Sequence, residues 1–306
     1  MNIPLITPPP LRPGSHVAIV SPSGAVDADV VNGAAEVLSS WGFSAEIMPH
    51  ALCRHGSFAG RVEERLADMT EALTSPRYDA VMCSRGGFGA VHLLDALSRL
   101  PLCDNPKWII GYSDITALHC LMSSRGIASL HAPNCRHLAE NRGADDCSQR
   151  LKDILSGREP RPVVAPTHEF AVEGKASGVL RGGNFAVLSS LISTPFDTIT
   201  ASDDTILFLE DISEPIYKVE RMLYTLRLNG TLSRLRGIIF GQFTNYRPTD
   251  LYENMEQMIA PLVADLGIPV AFNFPTGHVA LNYPLIVSAP ATLTVGEHTT
   301  ELIQNP

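Results

Sequence analysis

The chain has 306 residues, 45% of them apolar and 18% charged, which allows about two soluble domains with substantial cores. Its formal net charge of −9, with no long basic run, argues against nucleic acid or an anionic membrane surface as a partner. No stretch approaches the roughly 18 uninterrupted apolar residues of a transmembrane helix. The proline-rich start, 1–13, lacks the basic end and apolar core of a secretory leader. The six cysteines, at 53, 83, 103, 120, 135 and 147, include no Cys-x-x-Cys pair, and this reads as reduced, cytoplasmic thiols.

Val17-Ala18-Ile19-Val20 is a compact apolar strand that ends at the turn signal Ser21-Pro22-Ser23-Gly24. A helix is predicted over 29–41, with Val30, Ala34, Val37 and Leu38 inward, and a second strand over 45–48. A charged amphipathic helix over 60–73 turns Val62, Leu66, Met69 and Leu73 to one side. A third strand spans 78–84, and a third helix spans 89–97 with Val91, Leu94 and Leu97 buried. Trp108 to Ile110 is a fourth strand, and from Asp114 a helix runs with Ile115, Leu118 and Leu121–Met122 on one side. This alternation predicts a mainly parallel sheet with helices on both faces and a ligand site beyond the carboxyl ends of its strands. The composition changes after Leu155, and 157–178 reads as a linker or irregular crossover between a domain at 1–156 and another at 179–306. In the second region strands are predicted at 206–209, 236–241, 270–272 and 291–295, with helices over 214–229 and 251–266.

Five groups of residues are candidates for chemistry. Ser113 falls on the corner between strand and helix in Gly111-Tyr112-Ser113-Asp114, where its hydroxyl is pushed over the sheet edge beside the free N–H groups of a helix start. That is the logic of a nucleophile elbow, although the letters are not Gly-x-Ser-x-Gly and an ordinary helix cap fits the same segment. Arg85-Gly86-Gly87-Phe88-Gly89 leaves backbone donors exposed before a helix, as an oxyanion hole or a plain tight turn requires, and it matches neither standard nucleotide-loop pattern. Leu209-Glu210-Asp211 offers two adjacent carboxylates, either of which can orient a histidine or serve as surface charge, and Phe274-Pro275-Thr276-Gly277-His278 places a histidine in a constrained loop after a strand. His119, Cys120, His131, Cys135 and His137 invite a zinc reading, but their spacing matches no structural-zinc template and two of them lie on a predicted helix with core-like neighbours. Ser113, an acid near 210 and His278 follow the order serine, acid, histidine.

Six segments stand out together: Val17-Ala18-Ile19-Val20-Ser21-Pro22-Ser23, Ser84-Arg85-Gly86-Gly87-Phe88-Gly89, Gly111-Tyr112-Ser113-Asp114-Ile115-Thr116, Arg181-Gly182-Gly183-Asn184, Leu209-Glu210-Asp211 with Glu214-Pro215-Ile216-Tyr217-Lys218-Val219-Glu220-Arg221-Met222-Leu223, and Pro275-Thr276-Gly277-His278. In this order they resemble the LD-carboxypeptidase family, which holds murein tetrapeptide carboxypeptidases and microcin C self-immunity peptidases. The resemblance spans about 12–295. It implies a flavodoxin-like N-terminal domain, a smaller β-rich C-terminal domain and a homodimer. It further implies a serine peptidase with Ser113 as nucleophile, Glu210 as orienting acid and His278 as general base, and with oxyanion donors from Gly86 or Gly87 and from Asp114. The implied reaction is release of the terminal D-alanine of murein tetrapeptide, without metal or organic cofactor. The alternatives are hydrolysis of a microcin-type peptidyl adenylate and a non-catalytic ligand-binding module that kept the cleft. Arg85, beside the glycine loop, is a candidate for the free carboxylate that a carboxypeptidase must hold. The family commonly continues after its histidine to Pro-Leu-Gly, where this chain has Pro284-Leu285-Ile286.

Overall fold

The computed structural model describes residues 4–200 and 202–304. It divides into two compact units, Met1–Pro160 with Tyr283–Ile286, and Arg161–Asn282 with Val287–Pro306. In the first unit the order is β1 (His16–Val20), α1 (Ala28–Ser40), β2 (Ser44–Ile47), α2 (Val62–Thr74), β3 (Ala80–Cys83), α3 (Leu94–Leu97), β4 (Trp108–Gly111), α4 (Thr116–Ser124), β5 (Ser129–His131), α5 (Cys135–Asn141) and α6 (Asp146–Leu155). The second unit continues with β6 (Val163–Pro166), β7 (Gly174–Asn184), α7 (Phe185–Ser190), β8 (Thr205–Ile212), α8 (Ile216–Leu228), β9 (Gly237–Thr244), α9 (Met255–Val263) and β10 (Val270–Ala271). Then come β11 (Leu285–Val287), β12 (Pro290–Val295) and β13 (Thr299–Gln304).

The first sheet has the order β11-β5-β4-β3-β1-β2, and the pairs β2–β1, β1–β3, β3–β4 and β4–β5 are parallel. Without β11 this is the flavodoxin-like order 2-1-3-4-5, whose ligand crevice opens where the order reverses, between β1 and β3. Val17–Val20, Ala80–Cys83 and Trp108–Gly111 are buried throughout. Strands covered on both faces read as continuous apolar runs, which is why they are visible in the sequence. Ser21 and Ser84, the first residues beyond β1 and β3, are joined hydroxyl to hydroxyl at 2.6 Å. Ser21 donates its own proton to the Ala51 carbonyl at 2.6 Å, so Ser84 is the donor in the pair.

Several elements differ from the sequence expectation. The helix predicted over 60–73 buries Arg65, Asp68, Met69, Ala72 and Leu73, while Val62 is exposed, so its inner face carries two charged groups. The helix predicted from Gly89 opens as a 3-10 turn, Ala90–Leu93, with Val91 exposed and Leu93 inward. β5 escapes notice because it is three residues long and begins and ends on a buried polar side chain, Ser129 and His131. Within 157–178 the chain forms β6 and the first part of β7; β6 alternates buried and exposed residues and ends on proline, a pattern of an edge strand. The predicted helix over 251–266 is confined to α9 because Asn254 caps it, its side-chain oxygen accepting from the Gln257 N–H at 2.9 Å.

The second sheet runs β10-β9-β8-β7-β12-β13-β6. It is parallel from β7 through β8 and β9 to β10, and antiparallel from β7 through β12 and β13 to β6. Of Pro284-Leu285-Ile286, the last two residues begin β11 at the edge of the first sheet. Ile286 is fully buried there, and Arg150 of α6 donates from Nε to the Pro284 carbonyl at 3.1 Å. No helix among the described residues is long and apolar enough to cross a membrane.

Lys107 is nearly inaccessible at the foot of β4. Its ammonium donates to the Ala72 carbonyl at 2.9 Å and to the Ser75 carbonyl, so it closes the C-terminal end of α2, where a cation is favoured. Burial pulls its pKa down to about 8 from an ordinary 10.5, against the attraction of Asp79 and Glu71. Between these two values the unfolded chain holds a proton that the folded chain has released, so this group adds stability as pH rises. The unfolding free energy of wild type relative to Lys107→Met is therefore expected to increase from about pH 8 toward pH 10.5, measured by paired urea titrations. A difference that is flat with pH would refute this account of Lys107.

Candidate active site

Three loops follow the carboxyl ends of β1, β3 and β4 in the first unit. Ser113 is the residue at which the chain turns from β4 toward α4, and it sits in the left-handed region at φ +67°. A non-glycine residue there carries about 1–3 kcal/mol of strain and persists only where its surroundings over-determine it. The surroundings are the glycine loop. A Cβ on Gly86 would lie 2.7 Å from the Ser113 Cβ and 2.8 Å from its Oγ, so only glycine lets that loop rest against the serine. The Gly86 carbonyl accepts from the Gly24 N–H at 3.1 Å, which ties the loop after β3 to the loop after β1 across the point where the strand order reverses.

Asp114, the next residue, is buried, and its side chain does structural work. Oδ2 accepts from the Ser23 hydroxyl at 2.6 Å and from the Ala90 N–H at 2.8 Å, joining all three loops at one carboxylate oxygen. Arg65, projecting from α2, completes the frame by donating through Nη1 to the Pro22 carbonyl at 2.6 Å and to the Gly89 carbonyl at 2.9 Å. Burial pulls the Arg65 pKa down, opposed by the nearby charges of Asp114 and Glu63. The guanidinium also lies 5.0 Å from the Phe58 ring centre, and Phe58 meets the exposed Phe88 of the glycine loop edge-on at 4.6 Å. The roles of Ser23, Ala90 and Arg65 escape a reading of motifs because they act through long-range bonds with no sequence spacing to betray them.

Arg85 is half-buried and donates from Nη1 to the Ala25 carbonyl at 2.9 Å. No carboxylate pairs with it among the described residues.

Glu210 and His278 lie in the second unit. Glu210 is completely buried on β8, and its Oε2 stands 2.7 Å from the His278 Nδ1. A carboxylate accepts, so Nδ1 is the donor in this bond. The room for this pair comes from two glycines. At Gly277, φ +116°, a Cβ would stand 2.9 Å from both the Cβ and the Oε2 of Glu210; at Gly241 it would meet the Thr276 carbonyl at 2.7 Å. Pairing of β8 with β9 slips by one residue here, with Leu209 opposite Phe240 but Asp211 opposite Phe243. The histidine loop is fastened by Gln242 N–H to the Thr276 carbonyl at 3.0 Å, and by Gly277 N–H to the side chain of buried Asn282 at 2.9 Å.

Asp211, the other acid of the pair, is committed elsewhere. Its oxygens accept from Asn184 Nδ2, the Ile212 N–H and the Ala186 N–H at 2.8–2.9 Å, holding the start of α7. Burial, with the neighbouring Glu210 charge adding to it, pushes its pKa up to about 6 against those bonds. The histidines and cysteines that suggested zinc are engaged separately. His119 bonds Ser129 and Gly111, His137 bonds Asp145 at 2.9 Å, and burial pushes the Cys135 thiol up to about 12. Among the described residues no three His, Cys, Asp or Glu side chains are grouped to hold a metal ion.

Comparison with known proteins gives these arrangements a context. Residues 17–132 match the LD-carboxypeptidase N-terminal domain, and residues 177–293 match the LD-carboxypeptidase C-terminal domain. The murein tetrapeptide carboxypeptidase of Pseudomonas aeruginosa is 30% identical over 87% of this chain and 89% of its own. Among solved structures, the muramoyltetrapeptide carboxypeptidase from Oxalobacter formigenes superposes with a TM-score of 0.83 at 26% identity, covering 95% of this chain and 99% of its own. The microcin C7 self immunity protein MccF, in complex with aspartyl sulfamoyl adenosine, shares the fold at a TM-score of 0.83 and 20% identity, with 100% of this chain and 99% of its own covered. The chain is a peptidase of the LD-carboxypeptidase family.

Proposed function

We propose that the protein is a serine carboxypeptidase that cleaves the L,D peptide bond of murein tetrapeptide and releases the terminal D-alanine. The observation that carries this reading is the backbone of Ser113, a serine held at φ +67° against a glycine loop. Ser113 is the nucleophile, His278 the general base and Glu210 the orienting acid. His278, protonated at Nδ1 by virtue of its bond to Glu210, uses Nε2 to take the Ser113 proton as the hydroxyl attacks the scissile carbonyl. Glu210 keeps the imidazole in that tautomer and stabilises the imidazolium as it forms. The oxyanion is held by N–H groups of Gly86 or Gly87 and of Asp114; those of Gly86 and Gly87 bond to no other group among the described residues. The imidazolium then protonates the departing amine of D-alanine. Water, activated by the same base, releases the acyl group. Arg85, with no carboxylate partner of its own, holds the substrate's terminal carboxylate.

The relatives support the substrate, since the Pseudomonas aeruginosa protein is named for murein tetrapeptide. Free cysteines at all six positions fit work in a reducing cytoplasm, and the homodimer implied by the resemblance belongs to the same reading. A second reading, cleavage of an acyl-sulfamoyl or peptidyl adenylate, rests on the microcin-immunity fold and on exposed Phe88 beside the glycine loop, an available surface for a base.

The deciding assay follows D-alanine release from purified murein L,D-tetrapeptide by wild type and Ser113→Ala. Release by wild type alone supports the carboxypeptidase. Cleavage of aspartyl sulfamoyl adenosine only supports the second reading, and binding without turnover of either points to a ligand-binding module. Gly86→Ala inserts a methyl group against Ser113 and is expected to lower kcat by about 100-fold while circular dichroism is unchanged. Arg85→Ala is expected to raise KM about 10- to 100-fold with kcat within a few-fold, the pattern of a lost charged hydrogen bond to the ground state and transition state alike. Unaltered kinetics would remove Arg85 from the site.

A further inference from the structure

Buried histidines need a reason, and the mechanism does not use His119. It lies on α4 with 0% of its surface exposed, on a helix whose residues from Thr116 to Met122 are all buried. In that environment an imidazole costs stability unless both ring nitrogens are bonded. Both are. Nε2 stands 2.9 Å from the Gly111 carbonyl, and Nδ1 stands 2.9 Å from the Ser129 hydroxyl on β5.

The partners assign the protons. A carbonyl only accepts, so Nε2 bears the hydrogen; the Ser129 hydroxyl, which can do either, donates to Nδ1. Burial depresses the pKa of His119 to about 4, with the Gly111 bond opposing it, so the ring stays neutral in neutral solution. The Gly111 carbonyl also accepts from the Ala132 N–H at 3.1 Å, which uses both of its lone pairs. This carbonyl ends β4. One residue later the chain is extended at Tyr112, and at Ser113 it enters the left-handed region. The turn is thus anchored at its upstream end by α4 and by the chain beyond β5, and at its downstream end by the Asp114 carboxylate.

We propose that His119 is a positioning residue of the nucleophile: as a neutral Nε2–H imidazole spanning Gly111 and Ser129, it fixes the end of β4 and so holds Ser113 in its strained conformation. The proposal rests on the reading of Ser113 as nucleophile. It assigns His119 no contact with substrate, so its loss acts on the chemical step and leaves binding alone.

His119→Leu keeps the volume and removes both bonds. It is expected to lower kcat about 10-fold or more with KM within twofold, and His119→Gln, whose Nε2 reaches the same carbonyl, is expected to recover most of the loss. Ser129→Ala, which withdraws only the Nδ1 partner, is expected to give a smaller fall. Long-range proton–nitrogen NMR of the wild type is expected to show the His119 Nε2–H form between pH 5 and pH 8. An Nδ1–H ring, a kcat in folded His119→Leu within twofold of wild type, or equal losses in the leucine and glutamine variants would overturn the proposal. If His119→Leu does not fold, the glutamine and Ser129→Ala kinetics with the NMR tautomer decide it. Failure of the wild type to turn over any substrate would instead strike the reading of Ser113, while the tautomer would still report on His119.

Discussion

A serine at φ +67° is an uncomfortable residue, and much of the first unit is arranged so that it has nowhere else to go. Gly86 presses on it from one side, leaving no space for a side chain of its own. The Asp114 carboxylate gathers Ser23 and the Ala90 N–H, and Arg65 holds the Pro22 and Gly89 carbonyls of the same two loops. Because the loops after β1 and β3 meet where the strand order reverses, they are the segments of this fold with room to surround a ligand. The fold supplies an opening, and a small set of buried charged bonds converts flexible loops into a rigid wall around one hydroxyl.

The second unit shows how environment separates two neighbouring acids of the same type. Glu210 and Asp211 alternate along β8, so they point to opposite faces. Glu210 finds a glycine-lined space and one imidazole nitrogen. Asp211 finds two donors at the start of α7 and the N–H of Ile212, and is held by them. The one-residue slip between β8 and β9 falls between these two contacts, and with Gly241 and Gly277 it admits the histidine loop beside the carboxylate.

The elements that position these groups were legible to different degrees, for identifiable reasons. β1, β3, β4 and β8 are buried on both faces and announce themselves as apolar runs. Ser113 stood out because strand and helix adjoin with almost no loop between them, but its left-handed backbone has no signature in Gly-Tyr-Ser-Asp. Periodicity finds Met69 and Leu73 on the inner face of α2 but not Arg65 and Asp68, because it counts apolar side chains; Asp68 grips both the backbone N–H and the ring of His50. Choice of Glu210 over Asp211 came from resemblance, since adjacent acids look alike until the strand's faces are known. β5, β6 and β13 stayed hidden because short or alternating strands with polar or proline residues lack a run to count.

The order in which the chain is made has its own bearing on this architecture. β11, which flanks β5 at one edge of the first sheet, is encoded at Leu285–Val287, after nearly all of the second unit. During synthesis the first unit therefore waits with an uncovered edge strand while more than a hundred further residues emerge. An unpaired edge invites pairing with another chain. β5 is short and begins and ends on Ser129 and His131, a poor template for such pairing, which suits a strand that must remain open until its neighbour is translated. A fragment cut at the boundary near Pro160 would lack β11 and keep that edge bare.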